Sequence, residues 1–176
     1  MKTRSLINSE DCPSYGPSSY RPSSDVLHAE NSVIQEALAI LEGRLEKSDV
    51  TAYSSPESVK QFCYLTLAAE KSERFGVMFL DNRHRLISYE NLFRGTIDGA
   101  SVHPREVARA ALEQNAAAVI FTHNHPSGVA EPSRADTALT KRLIDALQML
   151  DICVLDHIVV CDTATGCVSF SERGLI

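Results

Sequence analysis

From Asp25 onward, apolar residues recur at steps of three and four. Leu27, Val33, Ile34, Ala37, Leu38, Leu41 and Leu45 form one stripe, the pattern of an amphipathic helix. It predicts a helix over residues 25–48, with Ser24 placed to cap it and Arg44 and Lys47 near the end where cations are favoured. Ser55-Pro56 offers an N-cap followed by proline at the first helical position, opening a second helix over 56–70. The rhythm changes at "RFGVMFLDN", which is apolar on both faces and predicts a strand covered on both sides. Asp81-Asn82 begins a turn, and "HRLISYENLFRGTI" returns as one or two strands. Pro104 opens a third helix through "REVARAALEQN", stopped at Asn115. "AAAVIFTH" reads as a buried strand, and a helix over 134–150 turns Ala135, Leu139, Leu143, Ala146 and Leu150 inward. "ICVLDHIVVCD" and "CVSF" complete the set as strands.

This order predicts an α/β or α+β fold built on one central, mixed sheet flanked by helices. Residues 1–24 are rich in Ser, Pro and Tyr without aliphatic periodicity. They bury too little surface to offset ordering entropy and read as a flexible tail. No internal repeat is visible. The expected organisation is a tail (1–24), an amphipathic helix (25–48) and a domain over 53–176. The apolar stripe suits packing on its own sheet, or else self-association.

Composition narrows the function classes. A chain of 176 residues suits one domain with an appended arm. Its net charge of −6 and pI near 5.5 argue against a broad electropositive surface, so non-specific nucleic-acid binding, which draws on phosphate neutralisation, is not expected. The densest basic run, Arg83-His84-Arg85, reads as a solvated turn. Five cysteines, odd in number and without a CxxC pair, form neither a zinc ribbon nor a disulfide framework. They read as reduced thiols packed among apolar neighbours. The N-terminus lacks the apolar core of a signal peptide, and no run approaches the ~20 apolar residues of a membrane span. The expectation is a cytoplasmic protein with no membrane partner.

The segment "THNHPSGVAEPSRAD" at 122–136 changes the picture. His123 and His125 stand where a buried strand ends. At spacing i, i+2 extended side chains share a face, with Cβ atoms about 6–7 Å apart, a gap that two imidazoles span to one ion. Pro126-Ser127-Gly128 supplies turn chemistry that doubles the chain back. Asp136 then offers a carboxylate from the first turn of the next helix. Two His and one Asp would leave a tetrahedral zinc one open position, the feature that separates catalytic from structural zinc. Ser133 and Asp136 also have capping-box spacing, which needs no ion. The two readings are compatible, because a helix start holds a carboxylate still.

"HNHPSGVAEPSRAD" resembles the H-x-H-x(7)-S-x-x-D signature of the JAB/MPN (JAMM) metalloprotease family, and its HNHPSG form is similar to the RadC-like branch. The resemblance extends through "ERFGVMFLDNRHRLI", "LFRGTIDGASVHPREVARAAL", "NAAAVIFTHNHPSG", "LDHIVV" and "SFSERGL". It implies a JAB/MPN-like (cytidine-deaminase-like) fold and a zinc metallopeptidase acting on a protein or peptide substrate. Carried over by position, His123, His125 and Asp136 match the zinc ligands, and Ser133 matches a serine that stabilises the developing oxyanion. The family's general acid/base glutamate matches Glu73 at a strand entrance, with Glu70 the alternative. The implied chemistry is hydrolysis of a peptide or isopeptide bond. The family name also carries a DNA repair and recombination association, which implies a second reading: a non-catalytic module acting through protein or DNA partners, direct nucleic-acid binding included despite the acidic charge. The N-terminal helix-hairpin-helix domain of longer RadC-like proteins is not expected in the fifty or so residues that precede the matching region.

Asp156-His157 matches the family's DH pair. It is either a carboxylate that orients a ligand imidazole or a polar pair serving the strand bend. His28, His84 and His103 are expected to hold no metal, and Gly95-Thr96 lies along the cleft or serves a backbone turn.

Overall fold

The computed structural model describes residues 24–47, 56–95, 102–161 and 166–176. Of the tail expected over 1–24, residues 1–23 lie outside the described residues, as do the Ser55 cap and Thr96, while Ser24 is the first residue of a helix. The chain forms helices α1 (Ser24–Lys47) and α2 (Pro56–Leu67), strands β1 (Arg74–Leu80) and β2 (Leu86–Arg94), helix α3 (Pro104–Glu113), strand β3 (Ala118–Asn124), helix α4 (Arg134–Gln148), and strands β4 (Cys153–Val160) and β5 (Cys167–Ser169).

Both edges of β1 are paired and both of its faces are covered, and the covered faces are why its sequence is apolar after Arg74. The sheet order is β2-β1-β3-β4-β5. β1 runs antiparallel to β2 and β3, β3 and β4 are parallel, and β5 is antiparallel to β4. The expected mixed α+β sheet is therefore what forms. The parallel pair needs a crossover, and α4 supplies it.

Strand alternation sends successive side chains into two cores. Phe75, Val77 and Phe79 of β1 join Val119 and Phe121 of β3 on one face, against Val107, Ala110 and Ala111 of α3 and Leu143 and Leu147 of α4. On the other face Met78, Leu80, Ala118, Ile120, Ile158 and Val160 meet Val59, Phe62, Cys63 and Leu67 of α2, with Leu41 of α1. Each fully buried large side chain contributes about 1.5–3 kcal/mol of transfer free energy. Gly76 leaves room for the Tyr89 ring, which a Cβ there would strike, and that ring stands edge-on to Phe62 at 5.4 Å.

Three details differ from the sequence expectations. Val33, placed in the apolar stripe of α1, is 66% exposed, while Leu38 and Leu41 pack on the core. The stripe was drawn one residue too wide on that side. Helix α2 ends at Leu67 rather than at 70, closing with an Ala68–Glu70 turn in which Glu70 N–H donates to the Leu67 carbonyl at 3.1 Å. In α4 the buried face is Thr140, Leu143 and Leu147, with Ala135 exposed and Leu150 beyond the helix end. The inward face is rotated because polar Thr140 has partners inside. Asn115, expected to stop α3, adopts a left-handed φ of 51°, a conformation that asparagine tolerates.

Candidate metal centre

The site forms at the carboxyl end of β3, where its last residues meet the first turn of α4. β3 is buried along its whole length, and alternation puts His123 on the α4 face with Val119 and Phe121. His125 follows just past the strand, its N–H donating to the Val160 carbonyl at 2.8 Å. Gly128, at φ 78°, closes the turn back, its N–H donating to the His125 carbonyl at 3.0 Å. Ser133 caps α4 in a full capping box. Its Oγ accepts from Asp136 N–H at 3.1 Å, and the Asp136 carboxylate accepts from Ser133 N–H at 2.7 Å.

These elements bring His123, His125 and Asp136 together. One ligand atom from each lies within 4.8 Å of the others. His123 Nε2 and His125 Nε2 are 2.9 Å apart, and each faces one Asp136 oxygen at 3.5 Å. A tetrahedral zinc with bonds of about 2.0–2.1 Å has donor–donor edges of roughly 3.3–3.4 Å. The observed separations bracket that edge.

The electrostatics suit a cation. Burial alone would raise the Asp136 carboxyl, but His123, His125 and Ser133 outweigh it and hold its pKa far below the ordinary carboxylate range. Hydrogen bonding to Asp136 raises the His125 imidazole against the pull of burial, with the Val129 carbonyl and the charges of Asp136 and Glu73 adding to the rise. An ionised carboxylate facing two imidazoles supplies the negative charge a cation needs, and the proton held at His125 is the one such a cation would displace. His125 Nδ1 lies 2.7 Å from the Val129 carbonyl, to which it can only donate. In the neutral ring that leaves Nε2 bare and aimed at the centre. The donor set fits zinc.

Glu73 is half-buried at the entrance of β1, its carbonyl accepting from Gly95 N–H at 2.8 Å. Its charge is felt at His125. Glu70 is engaged elsewhere, with its carboxylate against Arg74 Nε at 3.2 Å.

Asp156 does not orient a ligand ring. Its carboxylate accepts from Ser169 Oγ at 2.5 Å, Ser171 N–H at 2.9 Å and His157 N–H at 2.7 Å, fastening the C-terminal turn. Alternation sends Asp156 and His157 to opposite faces, and it is the His157 ring that reaches His123, at 2.8 Å. Burial drives His157 well below its ordinary pKa.

Asn124 was missed in the sequence. It is 2% exposed, with Oδ1 accepting from Arg74 N–H at 2.8 Å and Nδ2 donating to the carbonyls of Glu70 and Ser72 at 3.1 and 3.2 Å. One amide thus clamps the backbone on both sides of Glu73 to the strand that carries the imidazoles. The available signal was position: an amide between two same-face histidines points to the other face of a buried strand, where polar groups must find partners. A cleft of about 400 Å³, lined by Ala68, Glu70, Lys71, His125, Pro126 and Cys161 among others, opens beside the site.

Comparison with known sequences agrees with this geometry. The model of the RadC-like JAB domain family matches residues 53–175. UPF0758 protein Tgr7_0100 of Thioalkalivibrio sulfidiphilus is 61% identical over 125 residues, covering 71% of this chain and 55% of the relative. A UPF0758 protein of Nitrosococcus oceani is 57% identical over 136 residues, 77% of this chain and 59% of the relative. One from Vibrio cholerae is 52% identical over 145 residues, 82% and 89% of the two chains. The matched region therefore spans little more than half of the first two relatives and nearly all of the third.

Proposed function

Because the chain belongs to the RadC-like JAB domain family, we propose that it is a zinc-dependent hydrolase of peptide or isopeptide bonds. The observation that carries this reading is the convergence of His123, His125 and Asp136 on one point at the end of β3, the strand paired with β1, at whose entrance half-buried Glu73 stands. His123, His125 and Asp136 would hold the ion. Zinc in such a site supplies Lewis acidity, lowering the pKa of water from about 15.7 toward ~7.

The remaining work falls to side chains of this chain. Glu73 takes the proton of the attacking water and returns it to the leaving amine, so one carboxylate serves as base and then acid. Ser133 Oγ acts as an acceptor in the capping box, which leaves its hydrogen for the substrate oxygen as negative charge develops there. A donor of that kind is worth about 3–4 kcal/mol of barrier. Asn124 keeps Glu73 in register with the imidazoles by holding the turn before β1. The cleft beside His125, with its small and mixed-polarity lining, is where the residue next to the scissile bond would sit.

The test is elemental analysis of protein purified without chelator, followed by cleavage of a peptide library by wild type and Glu73→Gln. One zinc per chain in both, with cleavage by wild type alone, is the expected outcome. Protein without zinc would overturn the reading.

A further inference from the structure

The ring of His157 is wholly buried among phenylalanines, with Phe75, Phe121 and Phe170 centroids at 5.7, 5.8 and 4.7 Å. Packing alone would be served by another phenylalanine. Yet both of its nitrogens are engaged: Nε2 lies 2.8 Å from His123 Nδ1, and Nδ1 lies 2.6 Å from Thr140 Oγ1. Thr140, 1% exposed, is itself 2.7 Å from the Asp136 carbonyl. Two oxygens that close need a hydrogen between them, so the single hydroxyl hydrogen of Thr140 is given to Asp136. Thr140 Oγ1 can then only accept, which puts the proton of the neutral His157 on Nδ1 and leaves its Nε2 bare. A bare Nε2 accepts from His123 Nδ1–H, and His123 Nε2 is left without a hydrogen of its own, 2.9 Å from His125 Nε2 and 3.5 Å from Asp136, so a shared proton or a cation must sit between the two rings.

From this geometry we infer that Thr140 and His157 are positioning residues whose hydrogen-bond relay holds His123 in the tautomer that can bind a metal. The relay starts from the backbone of one proposed ligand, Asp136, and ends on the ring of another. The inference rests on the proposed metal reading. It goes beyond that reading by making affinity depend on a threonine and a histidine that never touch the ion. Without the Thr140 acceptor, His157 is free to carry its proton on Nε2 and donate to His123 Nδ1. The His123 proton then moves to Nε2, where a metal must displace it. The ordinary back-bond of a helical threonine to its i−4 carbonyl explains the contact with Asp136 but not the contact with His157.

The test compares zinc affinity, by competition with a chromogenic chelator, in wild type, Thr140→Val, Thr140→Ser and His157→Phe. Melting of the metal-free proteins and histidine ¹⁵N spectra accompany it. Valine preserves shape, serine restores the hydroxyl, and phenylalanine suits the aromatic cage. The valine and phenylalanine variants should bind zinc about 10–100-fold more weakly, the usual effect of losing an outer hydrogen-bond partner of a ligand. Serine should return affinity close to wild type, and metal-free wild type should show His123 and His157 both protonated on Nδ1. Valine or phenylalanine variants that bind as tightly as wild type would overturn the relay, and so would a valine defect that serine does not rescue. If Thr140→Val does not fold, His157→Phe decides. A wild-type protein without zinc affinity brings down the metal reading and the relay together, whereas zinc bound equally by all four removes the relay alone.

Discussion

Asp136 serves three structural purposes with one residue. Its carboxylate faces both imidazoles, the same group accepts the Ser133 N–H, and its carbonyl receives the Thr140 hydroxyl. On the proposed reading, His123→Ala and Asp136→Ala should each lose the metal, read as zinc per chain by elemental analysis. Glu73→Ala should keep the zinc and lose turnover of any peptide that wild type cleaves. Asn124→Ala would strip the partners from one backbone N–H and two carbonyls. At about 1–3 kcal/mol for a buried group left unmatched, its denaturation midpoint should fall clearly, and amide exchange should quicken at Arg74. The residues legible in the sequence were those whose relations are local: His123, His125, Ser133 and Asp136 lie within 14 consecutive positions. The pairing of His123 with His157 spans 34 positions and depends on which way β4 presents its side chains. Spacing could not resolve that. Of the two readings open for Asp156-His157, a carboxylate orienting a ligand imidazole or a polar pair serving the strand bend, Asp156 follows the second, because alternation sets it on the other face.

Among the elements, β1 and β3 were readable because strands paired on both edges and covered on both faces tolerate little but apolar residues. Helix α4 was read with its face one residue off, since an inward threonine does not announce itself in a hydrophobic pattern. The rotation has a measurable consequence. Leu143→Ala and Leu147→Ala, both at fully buried sites, should cost about 2–5 kcal/mol in chemical denaturation. Exposed Ala135 should accept a polar substitution within about 0.5 kcal/mol. Ser133→Ala should cost about 0.5–2 kcal/mol through the lost cap, whatever it does to catalysis. The loop between His125 and α4 has its own anchor, since Glu131 pairs with Arg173 of the C-terminal turn at 2.5 Å. That turn is in turn held by Asp156, whose carboxylate accepts the Ser171 N–H.

At the scale of the whole molecule, helices cover both faces of one mixed sheet, and the proposed centre lies at the strand end where the crossover helix begins. No helix among the described residues is long and apolar enough to cross a membrane. A ligand that binds only the folded chain at 100 times its Kd adds about 2.7 kcal/mol. For a domain of this size that raises the melting temperature by roughly 5–10 °C, measurable by scanning with zinc and with a chelator. The order of the proposed ligands along the chain tempers this figure. His123, His125 and Asp136 all precede β4, whereas His157 arrives with it. A growing polypeptide leaving the ribosome would thus hold all three proposed donors before the strand that carries the His123 partner has been synthesised. Early capture would be loose, tightening only once β4 docks, and affinity already present in the unfolded chain would trim the thermal gain below what the native constant implies.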